Sequence, residues 1–284
     1  MKLRTFTDPM KYLSYVQPFL EENEALHSLP LGLLFRIVKK QKNGEELGKL
    51  LLGTIEEDGR IKLCFIQTPP HNLVLASDQN LSEGTLNFAS EKLSKEYLFP
   101  GVLGEKTIVE QFSKTYCEFR NCNRKLKMNQ RIYRLDKVTP IKHVDGQLRK
   151  AEKGDTHLLK EWIQLFSNAM GEPFTDVESY ERSNQFIDEG TAALWENNGQ
   201  VVSMANESRP TRKGTTINFV YTPPNHERKG YASASVAAFS QYLLDKGYQF
   251  CTLYTDLSNP TSNSIYMKIG YKPVGDSIVY TFEG

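Results

Sequence analysis

The sequence predicts an α/β protein, with an α+β mixed sheet in each of two similar lobes arranged in tandem. Apolar runs of strand length alternate along the chain with longer runs whose apolar residues recur at helical spacing. A glycine, a strand-like run and a Thr-Pro-Pro triplet occur in both halves, with the triplets beginning at Thr68 and Thr222. Because a repeat of half-chain length indicates a duplicated domain, we expect one domain over residues 1–140 and a second over 147–284.

Composition favours a globular protein without a strongly charged partner. The 284 residues are 39% hydrophobic and 24% charged, with a formal net charge of +1, so no field over the whole molecule favours nucleic acid. The amino terminus lacks the apolar segment of a secretory signal, and no apolar run approaches the roughly 20 residues that span a bilayer. We therefore expect a cytoplasmic protein, a monomer or a homodimer, that binds neither membranes nor nucleic acid.

Cysteine usage indicates a reducing compartment and no metal site. Cys64 and Cys251 lie in strand-like apolar runs and are interpreted as buried thiols. Cys117 and Cys122 have the spacing of a disulfide or of half a metal site. No second Cys/His pair accompanies them, which favours free thiols.

A basic stretch precedes the end of the first half. Its members are Arg120, Arg124, Lys125, Lys127, Arg131 and Arg134. One interpretation is a surface for nucleic acid or phosphate. The alternative, favoured because no aromatic residues are interleaved to stack on bases, is one solvated face of a closing hairpin.

The first half is predicted to begin with a helix and to end with a strand. Asp8 and Pro9 form a helix start, a capping side chain followed by Pro at the first helical position. The remaining predicted elements are strands at 33–38, 47–55 and 59–67, a helix at 81–97 and a strand at 130–135. Residues 137–146, which include Pro140, are interpreted as the linker.

The second half shows the same alternation with clearer boundaries. A helix is predicted to begin at Asp155 and a second to follow Asp176 as far as residue 188. The predicted strands lie at 147–151, 192–195, 201–205, 216–221, 251–256 and 277–282. A long helix is predicted at 233–246 and a short one between Asn259 and Gly270.

The stretch between the predicted strand 216–221 and the helix 233–246 has the features of a phosphate-binding turn. It contains two prolines and then Gly230, close to the start of the helix. The first N–H groups of a helix have no acceptor within it, and the helix dipole adds partial positive charge there. The alternative is a glycine-containing turn that opens an ordinary amphipathic helix, because the apolar residues of that helix form a normal core stripe.

Two local motifs in the second half closely resemble the GNAT family of acetyl-CoA-dependent N-acetyltransferases. They are Gly230 and Ala232 after a proline-rich turn, and a later short helix that contains Asn259 and Tyr266. The family's motif reads Gln/Arg-x-x-Gly-x-Gly/Ala, and Glu227 stands where Gln or Arg is usual. That departure affects a side-chain contact and leaves the loop backbone available.

The resemblance covers residues 148–282 and implies a GNAT-like acyltransferase lobe that uses acetyl-CoA. The implied cofactor-binding residues are Val220, Tyr221, Thr222, Arg228, Lys229, Gly230, Tyr231, Ala232, Ser233, Asn259 and Ser262. Val220 and Tyr221 are expected to pair with the amides of the pantetheine arm as an added strand does. The N–H groups of 228–233 are expected to hold the pyrophosphate. Asn259 has the plain interpretation of a helix N-cap as well.

Tyr266 is the implied catalytic residue. In the family the matching tyrosine lies beside the thioester sulfur, where its hydroxyl can protonate the leaving thiolate. The plain alternative is a core aromatic residue with a satisfied hydroxyl. The resemblance further implies direct attack by a neutral amine in a ternary complex, with a strand N–H near Val220 or Tyr221 polarising the thioester carbonyl.

The general base stays open at the level of the sequence. The strand 216–221 carries no carboxylate; Glu207, near the end of the preceding strand, is one candidate, with a solvated charge as the alternative. Cys251 has no nearby histidine in the sequence to activate it, which disfavours a covalent acetyl-cysteine route.

These features predict an N-acetyltransferase acting on a primary amine of a small molecule, amino acid or peptide. The alternative is a coenzyme A-binding sensor or scaffold without turnover, and the presence of Asn259 and Tyr266 favours the enzyme. The first half has no glycine before its helix, and Phe112 is its nearest counterpart to Tyr266. We expect it to be a degenerate GNAT-like lobe that has lost the cofactor, supports the structure and forms one wall of the substrate cleft.

Overall fold

The structure, a computed structural model, describes residues 1–78 and 81–284 and divides them into two compact units. Unit 1 comprises Met1–Ile132, Thr255–Asn259 and Pro273–Gly284. Unit 2 comprises Tyr133–Tyr254 and Pro260–Lys272. Neither unit is one continuous stretch of chain, and the ranges 1–140 and 147–284 stay a prediction about the duplicated halves.

The first half of the chain forms six strands and four helices in the part that the structure describes. In chain order they are β1 (Lys2–Phe6), α1 (Pro9–Glu21), α2 (Ser28–Lys42), β2 (Leu51–Glu57), β3 (Arg60–Gln67), β4 (Leu73–Ser77), α3 (Glu83–Glu96), β5 (Gly101–Glu105), α4 (Lys106–Arg120) and β6 (Asn123–Leu135). The predicted helix start is confirmed, because the Asp8 carboxylate accepts from the Met10 N–H at 2.9 Å and Pro9 is the first helical residue.

The second half forms every element that its sequence predicts, with ends shifted by a few residues. In chain order they are β7 (Gln147–Lys150), α5 (Thr156–Ala169), α6 (Asp176–Asp188), β8 (Ala192–Asn197), β9 (Gln200–Ser208), β10 (Gly214–Tyr221), α7 (Tyr231–Asp245), β11 (Phe250–Asp256), α8 (Pro260–Ile269) and β12 (Lys272–Glu283). Among the described helices, none is long and apolar enough to cross a membrane.

The two units repeat the same order of strands and helices. In unit 1 neighbouring strands follow the order β1-β2-β3-β4-β5-β12, and in unit 2 the order β7-β8-β9-β10-β11. The parallel pair is β4 with β5 in the first order and β10 with β11 in the second, and the other pairs are antiparallel. The predicted mixed α/β fold with tandem lobes is therefore confirmed.

The repeated Thr-Pro-Pro triplet, however, occupies different places in the two halves. Thr68 lies between β3 and β4, before the parallel pair, whereas Thr222 directly follows β10. Because β4 corresponds to β10 in element order, the residue-by-residue match of Thr68 with Thr222 is wrong by one strand. Similar turn chemistry at two different turns produced the match.

Residues 33–38, predicted as a strand, belong to helix α2. Leu31, Leu34 and Val38 are buried and recur at intervals of three and four residues, which is helical spacing. The polar residues 39–42 that follow are the last turn of this helix and not a turn between two strands. Four further elements, which are short or weakly patterned, were not predicted: β1, β4, β5 and α4.

The core of unit 2 fixes the start of α7 at the end of β10. Val236, Phe239 and Leu243 of α7 are fully buried and lie on one face of the helix. They pack in one cluster with Ile217 of β10 and Leu253 of β11. The helix therefore lies across these two strands, and its first turn follows directly from the strand that precedes it.

Candidate active site

Strand β10 carries a bulge beside the predicted residues Val220 and Tyr221. Its antiparallel register with β9 shifts between Asn218 and Tyr221, and Phe219 has a φ of +48°. A bulge bends its strand and leaves backbone groups outside the regular ladder. Residues 216–221 have the pattern of an uninterrupted strand, so this bulge was not predictable from them.

Strand β10 pairs with β11 only over its first residues. Gly214, Thr215 and Thr216 oppose residues 250–252 in parallel register, and for the residues described here the ladder between the two strands ends there. The backbone beyond the bulge is therefore not used by β11. An extended ligand can pair with such a strand edge.

Side chains at the end of β10 are fixed by their neighbours. The Thr222 hydroxyl donates to Ser203 Oγ at 2.9 Å, and Ser203 Oγ donates to the Tyr221 carbonyl at 3.2 Å. The Tyr221 ring meets Trp162 edge-on, with 5.8 Å between centroids. Burial, with a smaller effect of two nearby carboxylates, raises the pKa of Tyr221 above its ordinary value.

Helix α7 begins with an N-terminus that lacks a side-chain cap among the described residues. Gly230 is the N-cap, with a φ of +86°, and the first turn contains no acidic residue. The Ala234 N–H donates to the Gly230 carbonyl at 3.0 Å, closing the first turn. The N–H groups of Tyr231, Ala232 and Ser233 precede that bond and have no acceptor within the helix, an arrangement that can bind an anion.

The loop before α7 presents charged side chains to solvent. Arg228 is exposed and has a φ of +61°, and Glu227, the departure from the GNAT motif, is exposed as well. Lys229 is exposed, and its Nζ donates to the Asn225 carbonyl at 3.0 Å. The loop therefore adds two cations and one carboxylate at the rim of the helix N-terminus.

Tyr266 lies in the middle of α8 and is 8% exposed. Its ring is 6.5 Å from that of Tyr133 and 6.0 Å from that of Tyr271, centroid to centroid. No hydrogen-bond partner of its hydroxyl is found in the described part of the chain, and burial raises the pKa of Tyr266 to about 12. The phenol therefore stays protonated at neutral pH and can donate a hydrogen bond.

The other predicted residues of this region lie at the start of α8. Asn259 directly precedes the helix, and its N–H donates to the Asp256 carbonyl at 3.1 Å. Ser262 is one turn before Tyr266, so the two share a face. Asn263, offered together with Ser262 as a possible member of that face, accepts a 2.9 Å hydrogen bond from the Tyr133 hydroxyl.

Unit 2 contains a cavity of about 730 Å³ at the start of α7. Four predicted residues line it: Lys229, Gly230, Tyr231 and Ser233. The rest of the lining was not predicted to belong to the site: the segment 140–145, Asn197 and Lys268. The cavity thus gathers four of the six residues 228–233 that are predicted to hold the pyrophosphate. Its lining does not include Val220, Tyr221, Thr222, Arg228, Ala232, Asn259, Ser262 and Tyr266.

Two residues weighed for catalysis lie in buried structural positions. Glu207 is 5% exposed and accepts 3.3 Å hydrogen bonds from the Thr215 hydroxyl and from Lys246 Nζ, so it is not the solvated charge considered as an alternative. Cys251 is fully buried on β11, and burial raises the pKa of its thiol to about 12. Such a thiol is not ionised at neutral pH.

The basic stretch near the end of the first half is engaged with the protein itself. Five of its side chains are hydrogen-bonded or ion-paired to neighbours: Arg120, Arg124, Lys125, Arg131 and Arg134. This arrangement fits a structural face. In the described ranges, no group of three or more His, Cys, Asp or Glu side chains is placed to hold a metal ion.

The corresponding positions of unit 1 have different chemistry. Helix α3 corresponds to α7, but the Ser82 side chain caps it by accepting from the Thr85 N–H at 3.1 Å, and Glu83 adds a negative charge to its first turn. Helix α4 corresponds to α8, and Phe112 holds the place in α4 that Tyr266 holds in α8. Unit 1 therefore presents neither an open helix N-terminus nor a phenol at these places.

Comparison with known proteins gives one family and many structural relatives. Residues 159–271 match the model of the Acetyltransferase (GNAT) family. A GNAT-family acetyltransferase from Colwellia psychrerythraea is similar over 100% of both chains, with a TM-score of 0.62 and 10% identity. A GCN5-related N-acetyltransferase from Sphaerobacter thermophilus is similar over 98% of this chain and 94% of its own, with a TM-score of 0.62 and 14% identity.

A third relative has a tandem arrangement. It is a tandem GNAT protein from the clavulanic acid biosynthesis pathway, similar over 99% of this chain and 98% of its own, with a TM-score of 0.58 and 9% identity. At such identities the likeness concerns the fold. No curated protein matches the chain.

The family match and the geometry concern the same elements. The matched residues contain β10, α7, β11 and α8, which carry the bulge, the helix N-terminus and Tyr266. The structural similarity extends through both halves, including the half that the family match does not reach. Residues 159–271 are therefore a domain that matches the GNAT family of acetyltransferases, and the fold of the whole chain, two GNAT-like lobes in tandem, is that of solved GNAT structures.

Proposed function

We propose that the protein is an acetyl-CoA-dependent N-acetyltransferase that moves the acetyl group to a primary amine of a small molecule, amino acid or peptide. The observation that carries the proposal is the N-terminus of α7, where Gly230 replaces a capping side chain beside a cavity of about 730 Å³. A cavity of this volume suits a small-molecule ligand. A helix N-terminus with available N–H groups suits its phosphates.

The cofactor is proposed to bind along three parts of the chain. The N–H groups at Tyr231 to Ser233, with Arg228 and Lys229 at the rim, hold the pyrophosphate. The edge of β10 from Val220 to Thr222 pairs with the amides of the pantetheine arm. Asn259 and Ser262, at the start of α8, contact the same arm.

Bound acetyl-CoA supplies a thioester that reacts readily with amines. An N–H of β10 near Val220 or Tyr221 donates to the thioester carbonyl and stabilises the negative charge that develops on its oxygen. The acceptor attacks as a neutral amine, and its proton leaves to a base or a chain of waters. Tyr266 donates its phenolic proton towards the departing thiolate.

Replacing Cys251 by alanine is expected to leave kcat within about twofold of the parent value, because a fully buried thiol with a raised pKa is not the nucleophile. The measurement is steady-state kinetics with varied acetyl-CoA and amine, which should give intersecting lines for both proteins. A loss of turnover with unchanged cofactor binding, or ping-pong kinetics, would contradict direct transfer.

The second candidate is a coenzyme A-binding sensor or scaffold without turnover. The exposed loop Arg228 to Gly230 and its cavity fit either role, but the buried phenol of Tyr266 with no partner among the described residues favours the enzyme. The test is consumption of acetyl-CoA with a panel of small amines, amino acids and peptides. Turnover of any acceptor supports the transferase, and tight coenzyme A binding without turnover of any acceptor supports the sensor.

The first half, residues 1–140, is proposed to be a degenerate lobe, and 147–284 the catalytic domain. The Ser82 cap, the charge of Glu83 and the phenyl ring of Phe112 support this assignment. A reducing cytoplasmic setting is proposed from the cysteines. All four are free thiols, although the Sγ atoms of Cys117 and Cys122 lie 3.1 Å apart.

A further inference from the structure

The segment 137–146, interpreted from the sequence as a linker, is fixed to unit 2 at both ends. The Thr139 N–H donates to the carbonyl of Ile269, the last residue of α8, at 2.8 Å. At the other end the Trp195 Nε1–H donates to the Asp145 carbonyl at 3.2 Å. Hydrogen bonds at both ends hold the segment in one path over the unit.

Apolar packing fixes the middle of the segment beside the start of α7. Ile141 and Val144 pack on a small core cluster that includes Trp195 and Ala234 of the first turn of α7. The Val144 side chain comes within 3.0 Å of the position that a Cβ on Gly230 would take. The segment is therefore a built wall of the cavity, which residues 140–145 line.

Three lysines from three separate elements line the cavity. Lys142 comes from the segment, Lys229 from the loop before α7 and Lys268 from α8. Lys142 and Lys268 are exposed, and no carboxylate in the described part of the chain is paired with either. His143 and Asp145 also line the cavity, with His143 Nε2 3.1 Å from the Asp145 carboxylate, so the lining holds one carboxylate beside its three lysines.

The charge exceeds what a diphosphate on a helix N-terminus requires. In the proposed function, the N–H groups at the start of α7 and Lys229 serve the two phosphates of the diphosphate. Two further lysines without carboxylate partners, from two different elements that line the same cavity, match an additional phosphate monoester, which carries about −1.5 to −2 at neutral pH. Coenzyme A carries such a group on the 3′ position of its ribose.

We propose that Lys142 and Lys268 bind the 3′-phosphate of coenzyme A, so that the 137–146 segment makes the protein selective for the 3′-phosphorylated cofactor. The proposal rests on the proposed function, because it places a coenzyme A thioester in this cavity. The segment acts as part of the binding site and not only as a connection between the halves. Dephospho-coenzyme A, which lacks the 3′-phosphate, is the discriminating ligand.

The experiment is isothermal titration of the full-length protein with coenzyme A and with dephospho-coenzyme A. The parent protein is expected to bind coenzyme A about tenfold more tightly than dephospho-coenzyme A. Lys142→Gln is expected to weaken coenzyme A binding about fivefold and to leave dephospho-coenzyme A binding unchanged. Combining it with Lys268→Gln is expected to abolish the preference.

Lys153→Gln is the matched control, because Lys153 is an exposed lysine of unit 2 outside the cavity lining. It should change neither affinity. Increasing ionic strength should shrink the preference of the parent protein, since exposed charge pairs are screened. All three sites are exposed, and thermal unfolding of each variant should match that of the parent.

Four outcomes overturn the proposal, and they separate it from the proposed function. The 3′-phosphate assignment is wrong if the parent protein binds both ligands with equal affinity. It is also wrong if Lys142→Gln weakens the binding of both ligands equally. Neither result contradicts acetyl transfer. If Lys153→Gln weakened coenzyme A binding as much as Lys142→Gln does, the effect would come from the net charge of the protein and not from a phosphate site. Failure to bind either ligand overturns the acetyl-CoA site itself, together with this inference.

Discussion

Replacing Tyr266 by phenylalanine is expected to lower kcat by about 10²-fold or more, which is the range that general acids contribute. The affinity for coenzyme A should stay within about threefold of the parent value, because the hydroxyl adds little to ground-state binding. The physical reason is that the departing thiolate loses its proton donor in the transition state. The measurements are kcat with a reactive amine and the coenzyme A dissociation constant by titration.

The surroundings of Tyr266 allow the hydroxyl to be removed with little effect on stability. Because its hydroxyl has no partner in the described part of the chain, removing it breaks no hydrogen bond and should change the free energy of unfolding by less than about 1 kcal/mol. Tyr271→Phe is the matched control. That tyrosine is also buried in α8's cluster, but its hydroxyl is hydrogen-bonded to Ser240 Oγ at 2.8 Å. The control should lose stability and keep kcat.

The pH dependence of kcat provides an independent test of the same role. Burial raises the pKa of Tyr266 to about 12, so the phenol is protonated throughout the range from neutral to pH 10. It should therefore add no falling limb to the kcat profile below about pH 10. A falling limb near the ordinary tyrosine pKa that disappears in Tyr266→Phe, or an unchanged kcat in that variant, would remove Tyr266 from the proposed role.

The second half of the fold was predictable because its patterns are local and unambiguous. The helix from Asp176 has both a capping residue and a polar first turn, and the strands are separated by turns with their own chemistry. The first half was less predictable because the apolar part of α2 is a short run that fits a strand as well as a buried helix. Burial in the folded protein decided between the two.

The parts of the candidate site that come from residues adjacent in sequence were predictable. Gly230 and the start of α7 follow from a turn whose residues are adjacent in sequence, and Tyr266 follows from its place in a short helix. Lys268 was within reach as well, because it lies two positions after Tyr266 on the exposed side of α8. It was not predicted, because a single exposed lysine does not by itself indicate a binding site.

The cavity wall formed by residues 140–145 and the bulge in β10 could not be predicted from the sequence, for a physical reason. Residues 140–145 join the site only because Ile141 and Val144 pack against Trp195, a contact between positions far apart in sequence. The bulge at Phe219 depends on the register of β10 against β9, which a single strand does not encode. Both features arise from tertiary packing.

Replacing Gly230 by valine is expected to weaken coenzyme A binding by about tenfold or more. Gly230 has a φ of +86°, a region in which a β-branched residue is strained by roughly 1–2 kcal/mol. Its Cβ would also come within 3.0 Å of Val144 Cγ2, so the loop or the segment 140–145 has to move. A shift of the loop displaces the N–H groups that are proposed to hold the pyrophosphate, and a shift of the segment moves the cavity wall beside them. Titration with coenzyme A measures the effect.

Gly247→Val separates loss of the site from general backbone strain. Gly247 has a φ of +114°, follows the other end of α7, and has nothing within 4 Å of an added Cβ. The control should therefore lose a similar amount of stability, about 1–2 kcal/mol, and bind coenzyme A as the parent does. If both variants weakened binding equally, the loss would reflect a softened helix. If Gly230→Val bound coenzyme A normally, the pyrophosphate would have to lie elsewhere, because a displaced and crowded helix start cannot keep its N–H groups in the same arrangement.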